Sequence, residues 1–276
     1  MKHLEMNFDQ CWDILITTTK GKEPPRKGIL ERLLPELNIR YDEYKQKCKS
    51  LEYVTETVRS NEEKEALIHC YESPLKKISS ILLPSLKRVQ AFCPYCLVRH
   101  VQTRDHFLPK DYWPDFSIHP ANLVDVCYTC NLSKGNRLIK PRRSVLNPYF
   151  DGLDSCKLLR CDIAIGDIIE ASYSITRDYG ADEYLYDVAC RHFEEFGLRH
   201  LFGAAVASRI SNLYIEISTW ASQPFEEQEI KEKWEKLVAG LNKNGAGCNH
   251  WEVAFFSKLI EMDGVSTHIN KVVGLC

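Results

Sequence analysis

Apolar residues recur every three to four positions through most of the first 88 residues, the spacing of helices that bury one face. The stretch FDQCWDILITTTKG offers Asp9 as an N-cap and Gly21 as a stop. SNEEKEALIHCYES opens on Ser60 with Glu63 three residues later, the spacing of a capping box. PLKKISSILLPSLKRVQ begins at Pro74, and the fixed φ of proline suits a first helical turn. The pattern breaks over residues 89–150, where apolar runs are short, prolines are frequent and SVLNPYFDG closes the segment with turn formers. Two β-rich runs in CKLLRCDIAIGDIIEASYSIT, residues 156–176, flank Gly166-Asp167 and predict a hairpin. Helical spacing returns over 181–262, with an Asp182 cap, a Gly197 stop and a core stripe of Leu201, Ala205, Ile210, Leu213 and Ile217. The expected class is α+β, with a small domain at 89–150 between a helical region at 1–88 and a hairpin-plus-helix region at 151–276.

The length of 276 residues and a hydrophobic fraction of 44% permit a sizeable core. No apolar run approaches the roughly 18 residues of a membrane span, and the charged start MKHLEMNFDQ lacks the apolar centre of a secretory leader. A cytoplasmic protein is expected, and in that setting the 12 cysteines do not form a disulfide framework. Eight of them are scattered and read as small buried apolar side chains.

The other four, Cys93, Cys96, Cys127 and Cys130, form two CxxC pairs. Each pair turns as a tight knuckle, and two knuckles close a saturated tetrahedral site, which makes the bound zinc structural. The pairs are thirty residues apart, Leu97 to Val126, longer than a minimal ribbon needs. Metal binding would stabilise a fold too small to bury enough apolar area alone. Charge changes the picture in the same place. The net charge is −2, yet Pro84–Arg143 carries +6 and the remainder −8, a basic island suited to a phosphate-rich partner.

The insert between the knuckles carries the candidate chemistry. VQTRDH alternates as a strand ending at Asp105-His106, and the fifteen residues FLPKDYWPDFSIHPA follow as a loop. Asn122, the apolar run LVDVC and CNLSKGNR come next; Asn131 opens a helix with Lys134 one turn on. Phosphodiester hydrolysis needs an activated water, a Lewis acid on the phosphate and help for the leaving oxygen. The Asp105 carboxylate and the Asn131 amide oxygen make a sparse hard-oxygen set for Mg²⁺ or Mn²⁺. A neutral His106 imidazole takes the proton from the attacking water. Neighbours on a strand face opposite ways, but a bend at the strand end can bring Asp105 and His106 to one site. Lys134, Arg137, Lys110, Arg142 and Arg143 are the candidate phosphate contacts. The plain alternatives are a surface acid at 105, a structural histidine at 106, a turn asparagine at 122 and an N-cap at 131. His119, in the loop, is an outside candidate.

In DHFLPK, NLVDVC and CNLSKG, residues 90–150 resemble the HNH endonuclease family in its zinc-framed form, with asparagine where the name has its last histidine. The resemblance implies a ββα-metal nuclease domain, hydrolysis of nucleic acid, DNA first, with His106 as general base. It also implies Asp105 and Asn131 as ligands of Mg²⁺ or Mn²⁺, and Asn122 holding the histidine loop through its backbone. HNH chains with large helical additions resemble antiphage effectors paired with an ATPase. No GxxxxGK[ST] loop is present, so any ATP requirement falls on another chain. A double-strand cut would require a homodimer or two successive events. Two other readings stand beside this one: a non-catalytic zinc module that binds nucleic acid or protein, and a nuclease subunit silent without its partner.

Overall fold

The computed structural model describes residues 24–73, 92–136 and 142–275. The helices expected over 8–21 and from Pro74, and the phosphate candidate Arg137, lie outside the described residues. The chain divides into two compact units at Asp151/Gly152.

In the N-terminal unit, α1 (Pro24–Gln46) starts on two prolines and contains Pro35. Its Leu30, Leu33, Leu37, Tyr41 and Tyr44 are buried, steps of three and four that put them on one face. Helix α2 (Asn61–Glu72) has the expected capping box: the Ser60 hydroxyl accepts from the Glu63 amide, and the Glu63 carboxylate accepts from the Ser60 amide. It buries Ala66, Leu67 and Cys70 and packs on α1. The described parts of the sequence regions 1–88 and 89–150 thus share one unit.

Strands β1 (Thr103–His106) and β2 (Leu123–Val126) pair antiparallel, with Thr103 opposite Val126 and His106 opposite Leu123. A short helix, α3 (Tyr128–Lys134), follows with Cys127 as its N-cap. This is a ββα arrangement. The segment read from sequence as a loop is a buried plug. It folds through two 3-10 turns, Pro114–Phe116 and Pro120–Asn122, and buries Phe107, Leu108, Trp113, Phe116 and Ile118. The Trp113 indole donates to the Val54 carbonyl at 3.3 Å, and the Tyr44 hydroxyl donates to the Ala121 carbonyl at 3.1 Å. His119 packs inside this plug between Tyr41 and Tyr44, with ring centroids 4.3 and 4.6 Å away.

In the C-terminal unit, β3 (Lys157–Ile165) and β4 (Ile169–Tyr179) form the expected hairpin, and β4 runs three residues past the predicted segment. Helix α4 (Glu183–Glu195) is capped by Asp182, whose side chain accepts from the Leu185 amide at 2.7 Å. Helix α5 (Leu198–Trp220) follows Gly197, which has a φ of 58°, a conformation glycine adopts without a Cβ clash. Its buried stripe is Leu198, Phe202, Val206, Ile210, Leu213 and Ile217. The N-terminal half is displaced by one residue from the predicted Leu201 and Ala205, because the larger Phe202 and Val206 hold the steps of four that continue to Ile210. Helices α6 (Glu227–Lys243), α7 (Trp251–Glu261) and α8 (Val265–Val272) complete the unit. The sequence reading stopped before α8, which is fixed by Asn270 exchanging two hydrogen bonds with the Phe225 backbone. Helices α5 and α7 cover the hairpin, and Asn249 receives the Leu158 and Leu159 amides while donating to the Leu153 and Cys156 carbonyls.

Burial pushes His119 down to about 3, against about 6.5 for an unfolded histidine. The unfolded chain therefore binds the extra proton first, and stability falls as pH drops from 6.5 toward 3. His119→Phe is expected to flatten this slope: the loss of urea midpoint between pH 7 and pH 5 shrinks in the variant. An unchanged loss removes His119 as its source.

Candidate active site and metal centre

Cys93, Cys96, Cys127 and Cys130 are all buried, and their Sγ atoms lie within 4.8 Å of one another. Cys96 and Cys127 stand 4.0 Å apart. Zinc–sulfur bonds of about 2.3 Å in a tetrahedron require sulfur pairs roughly 3.8 Å apart, so the cluster can hold one zinc ion. The knuckle geometry follows from the backbone. The Cys93 amide donates to Arg99 and the Leu97 amide to Cys93, with Leu97 at a φ of 55°, a left-handed turn carried by a non-glycine residue. In the second knuckle the Cys130 amide points at the Cys127 sulfur. Contact among the four thiols lowers Cys96 and Cys127 and raises Cys93 and Cys130, so in the metal-free cluster the thiols share protons, which zinc binding would release. Among the described residues no other group of three or more His, Cys, Asp and Glu converges as a metal site.

His106 ends β1. Its Nε2 lies 2.8 Å from the Ser117 carbonyl oxygen. A carbonyl only accepts, so the Nε2 atom carries the proton and the Nδ1 lone pair is left as a base. Burial lowers the imidazole to about 4, which keeps it neutral near pH 7. The Tyr71 ring from the end of α2 meets it edge-on, with centroids 4.3 Å apart.

Asp105 is buried and takes different partners. The Tyr95 hydroxyl donates to its Oδ2 at 2.8 Å, and the Lys134 ammonium to its Oδ1 at 3.0 Å. Lys134 also donates to the His106 carbonyl at 2.8 Å. Asn131, one turn earlier on α3, points its amide nitrogen at Thr103 Oγ1, 3.2 Å away, and at the Arg104 carbonyl, 3.4 Å away. Helix α3 thus lies along β1, with Asn131 beside Thr103 and Lys134 beside Asp105. The Asp105 and His106 side chains have different hydrogen-bond partners, though the Asp105 charge is felt at the imidazole. Asp105 and Asn131 fit a hard divalent cation in donor chemistry, one carboxylate and one amide oxygen. The cationic place beside Asp105 is filled by the Lys134 ammonium, which a divalent ion would have to displace.

Asn122 is fully buried. Its oxygen accepts from the Leu108 amide at 2.7 Å, and its nitrogen donates to the Leu108 and Phe116 carbonyls at 3.0 and 3.2 Å. It therefore clamps both ends of the plug that carries Ser117.

Two of the phosphate candidates, Lys134 and Arg143, need correction. Lys134 faces inward, with its side chain at 0% exposure. Arg143 is buried and paired with Asp151 at 2.9 Å. Lys110 pairs with Glu72. Arg142 is exposed. The sequence reading counted the charges without their partners. It also missed Tyr95, Ser117 and Tyr71. Of the inward positions, only Lys134 left a signal, because three residues beyond Asn131 it shares that residue's face of the helix.

A stretch of 62 residues is 34% identical to Protein ea31 of Escherichia phage lambda, covering 21% of this chain and 21% of that protein. The chain thus spans about a fifth of that relative's length. No family model matches the chain, and no solved structure matches it.

Two outcomes are expected. Purified protein carries one zinc per chain by elemental analysis, and Cys127→Ser loses it together with β1–β2 pairing; a zinc-free wild type that keeps its fold would remove the metal from the structure. Lys134→Met leaves the Asp105 carboxylate buried without its cation, costing about 3–5 kcal/mol. Urea unfolding measures this, and a loss below roughly 1 kcal/mol, the level of an exposed pair, would place the pair in solvent.

Proposed function

We propose that the N-terminal unit is an HNH-type endonuclease that hydrolyses phosphodiester bonds of nucleic acid, with double-stranded DNA as the substrate. The observation that carries this reading is the His106 imidazole, held on a ββα frame beside the four-cysteine cluster with Nε2 donating to Ser117 and Nδ1 left as the base. In the proposed reaction Nδ1 takes the proton of the attacking water. The Ser117 carbonyl then supports the imidazolium, and the nearby Asp105 carboxylate favours its charge. Mg²⁺ or Mn²⁺ held by Asp105 and Asn131 would supply Lewis-acid stabilisation at the phosphate. Asn122 keeps the Ser117 segment in register. The short match to a phage protein adds no function of its own.

A second reading draws on one observation: His106 lies under Tyr71, and Asp105 is neutralised by Lys134. A site closed in this way fits a nuclease subunit that waits for a partner, and an ATP-hydrolysing chain of an antiphage system is the partner that the architecture suggests.

Supercoiled plasmid incubated with the full chain and Mn²⁺ or Mg²⁺ is expected to become nicked or linear. EDTA stops the conversion, and His106→Ala lowers the rate by about a hundredfold or more, the span of a lost general base. Equal cleavage by His106→Ala would refute the role of the imidazole. No cleavage by zinc-loaded wild type would favour the subunit that waits for a partner or a binding module.

A further inference from the structure

Asp115 sits in the plug, two residues before the Ser117 carbonyl that holds His106. Its side chain has no solvent exposure. Arg59 Nε donates to Oδ1 at 2.8 Å, and Thr57 Oγ1 and Arg40 Nε donate to Oδ2 at 2.7 and 3.2 Å. Arg40 lies on α1, and Thr57 and Arg59 lie on the segment between α1 and α2. Both arginines are braced in turn, Arg59 by Glu36 at 2.8 Å and Arg40 by Glu43. A carboxylate taken wholly out of water is stabilised only where geometry and partners are well matched, and such a network fixes its members in place.

The turn that bears Asp115 is short. The Ser117 amide donates to the Pro114 carbonyl at 3.1 Å, and the Ser117 hydroxyl donates to the same oxygen at 2.7 Å. Residues 114 and 117 are thus tied into one tight turn, and Asp115 lies between them. Asn122 fixes the neighbouring Phe116 carbonyl, while Asp115 is held from elsewhere. Asp115 ties the same turn to the N-terminal arm.

We infer that Asp115 is a positioning residue for His106, held in place by Arg40, Thr57 and Arg59 of the N-terminal arm. This inference rests on the reading of His106 as the base. The chain of contact runs from Arg40 and Arg59 to Asp115, through the 114–117 turn to the Ser117 carbonyl, and from there to Nε2 of His106. When the carbonyl moves away, the imidazole loses the acceptor that selects its tautomer.

Side-chain ¹⁵N correlation spectra of the full-length, zinc-loaded protein test this, with the His106 signals assigned by their loss in His106→Gln. The wild type is expected to show a protonated Nε2 and a bare Nδ1. Asp115→Asn is expected to show a mixture of both tautomers, and its kcat for plasmid cleavage to fall roughly a hundredfold, the scale for a displaced catalytic group, with KM unchanged. Arg40→Gln leaves Arg59 and Thr57 on the carboxylate and should give a smaller shift in the same direction. One zinc per chain reports that a variant is folded. A zinc-loaded Asp115→Asn with the wild-type His106 spectrum would overturn the inference; if that variant loses zinc, the Arg40→Gln spectrum decides in its place. Mixed tautomers without any wild-type cleavage would uphold the positioning of the imidazole and reject the nuclease.

Discussion

Two strands of four residues and a seven-residue helix cannot stand alone in water. The ββα element of this protein depends on being closed from two sides. On one side four buried thiols draw residues 93–96 and 127–130 to within 4.8 Å. On the other, the segment between the strands buries its aromatic and aliphatic side chains against α1 and the turn at Leu51–Tyr53. Every candidate catalytic side chain hangs from this doubly closed frame, and the hydrogen bonds that orient them come from both sides of it.

The electrostatics follow from the same burial. Asp105 with Lys134, Asp115 with Arg59 and Arg40, and Arg143 with Asp151 are ion pairs with little or no solvent contact. Pairs of this kind add less net stability than their Coulomb attraction suggests. What they do is hold directions: Lys134 joins the Asp105 carboxylate to the His106 carbonyl, and Asp115 joins the plug to the N-terminal arm. The basic island visible in the sequence is spent partly inside the fold, and the charge left for a phosphate partner is smaller than its count.

Much of the site's inventory could be read from residue order. The paired cysteines, the strand ending at His106, the asparagine before the second strand and the helix beginning after Cys127 each rest on a local rule of spacing or capping. So do the Ser60–Glu63 capping box and the hairpin across Gly166. Local rules failed where a long-range contact decided. The plug looked like a loop because its prolines and polar residues signal turns; it is buried because Phe116 packs on Tyr41 and Tyr44 of α1 and Trp113 reaches the Val54 carbonyl. Lys134 looked like a surface charge because its acid, Asp105, lies on β1, 29 residues away; Arg143 did because it and Asp151 sit in an irregular segment with no periodicity to pair them.

Sequence alone therefore determined the periodic helices, the hairpin, the metal-ligand spacing and the residue types able to perform acid–base chemistry, since these depend on neighbours a few positions apart. Only the tertiary structure decided which charges are neutralised, which nitrogen of His106 bears the proton and that the N-terminal helices pack against the segment between the two strands. The physical reason is that a hydrogen bond or a buried ion pair acts over about 3 Å and takes no account of separation along the chain.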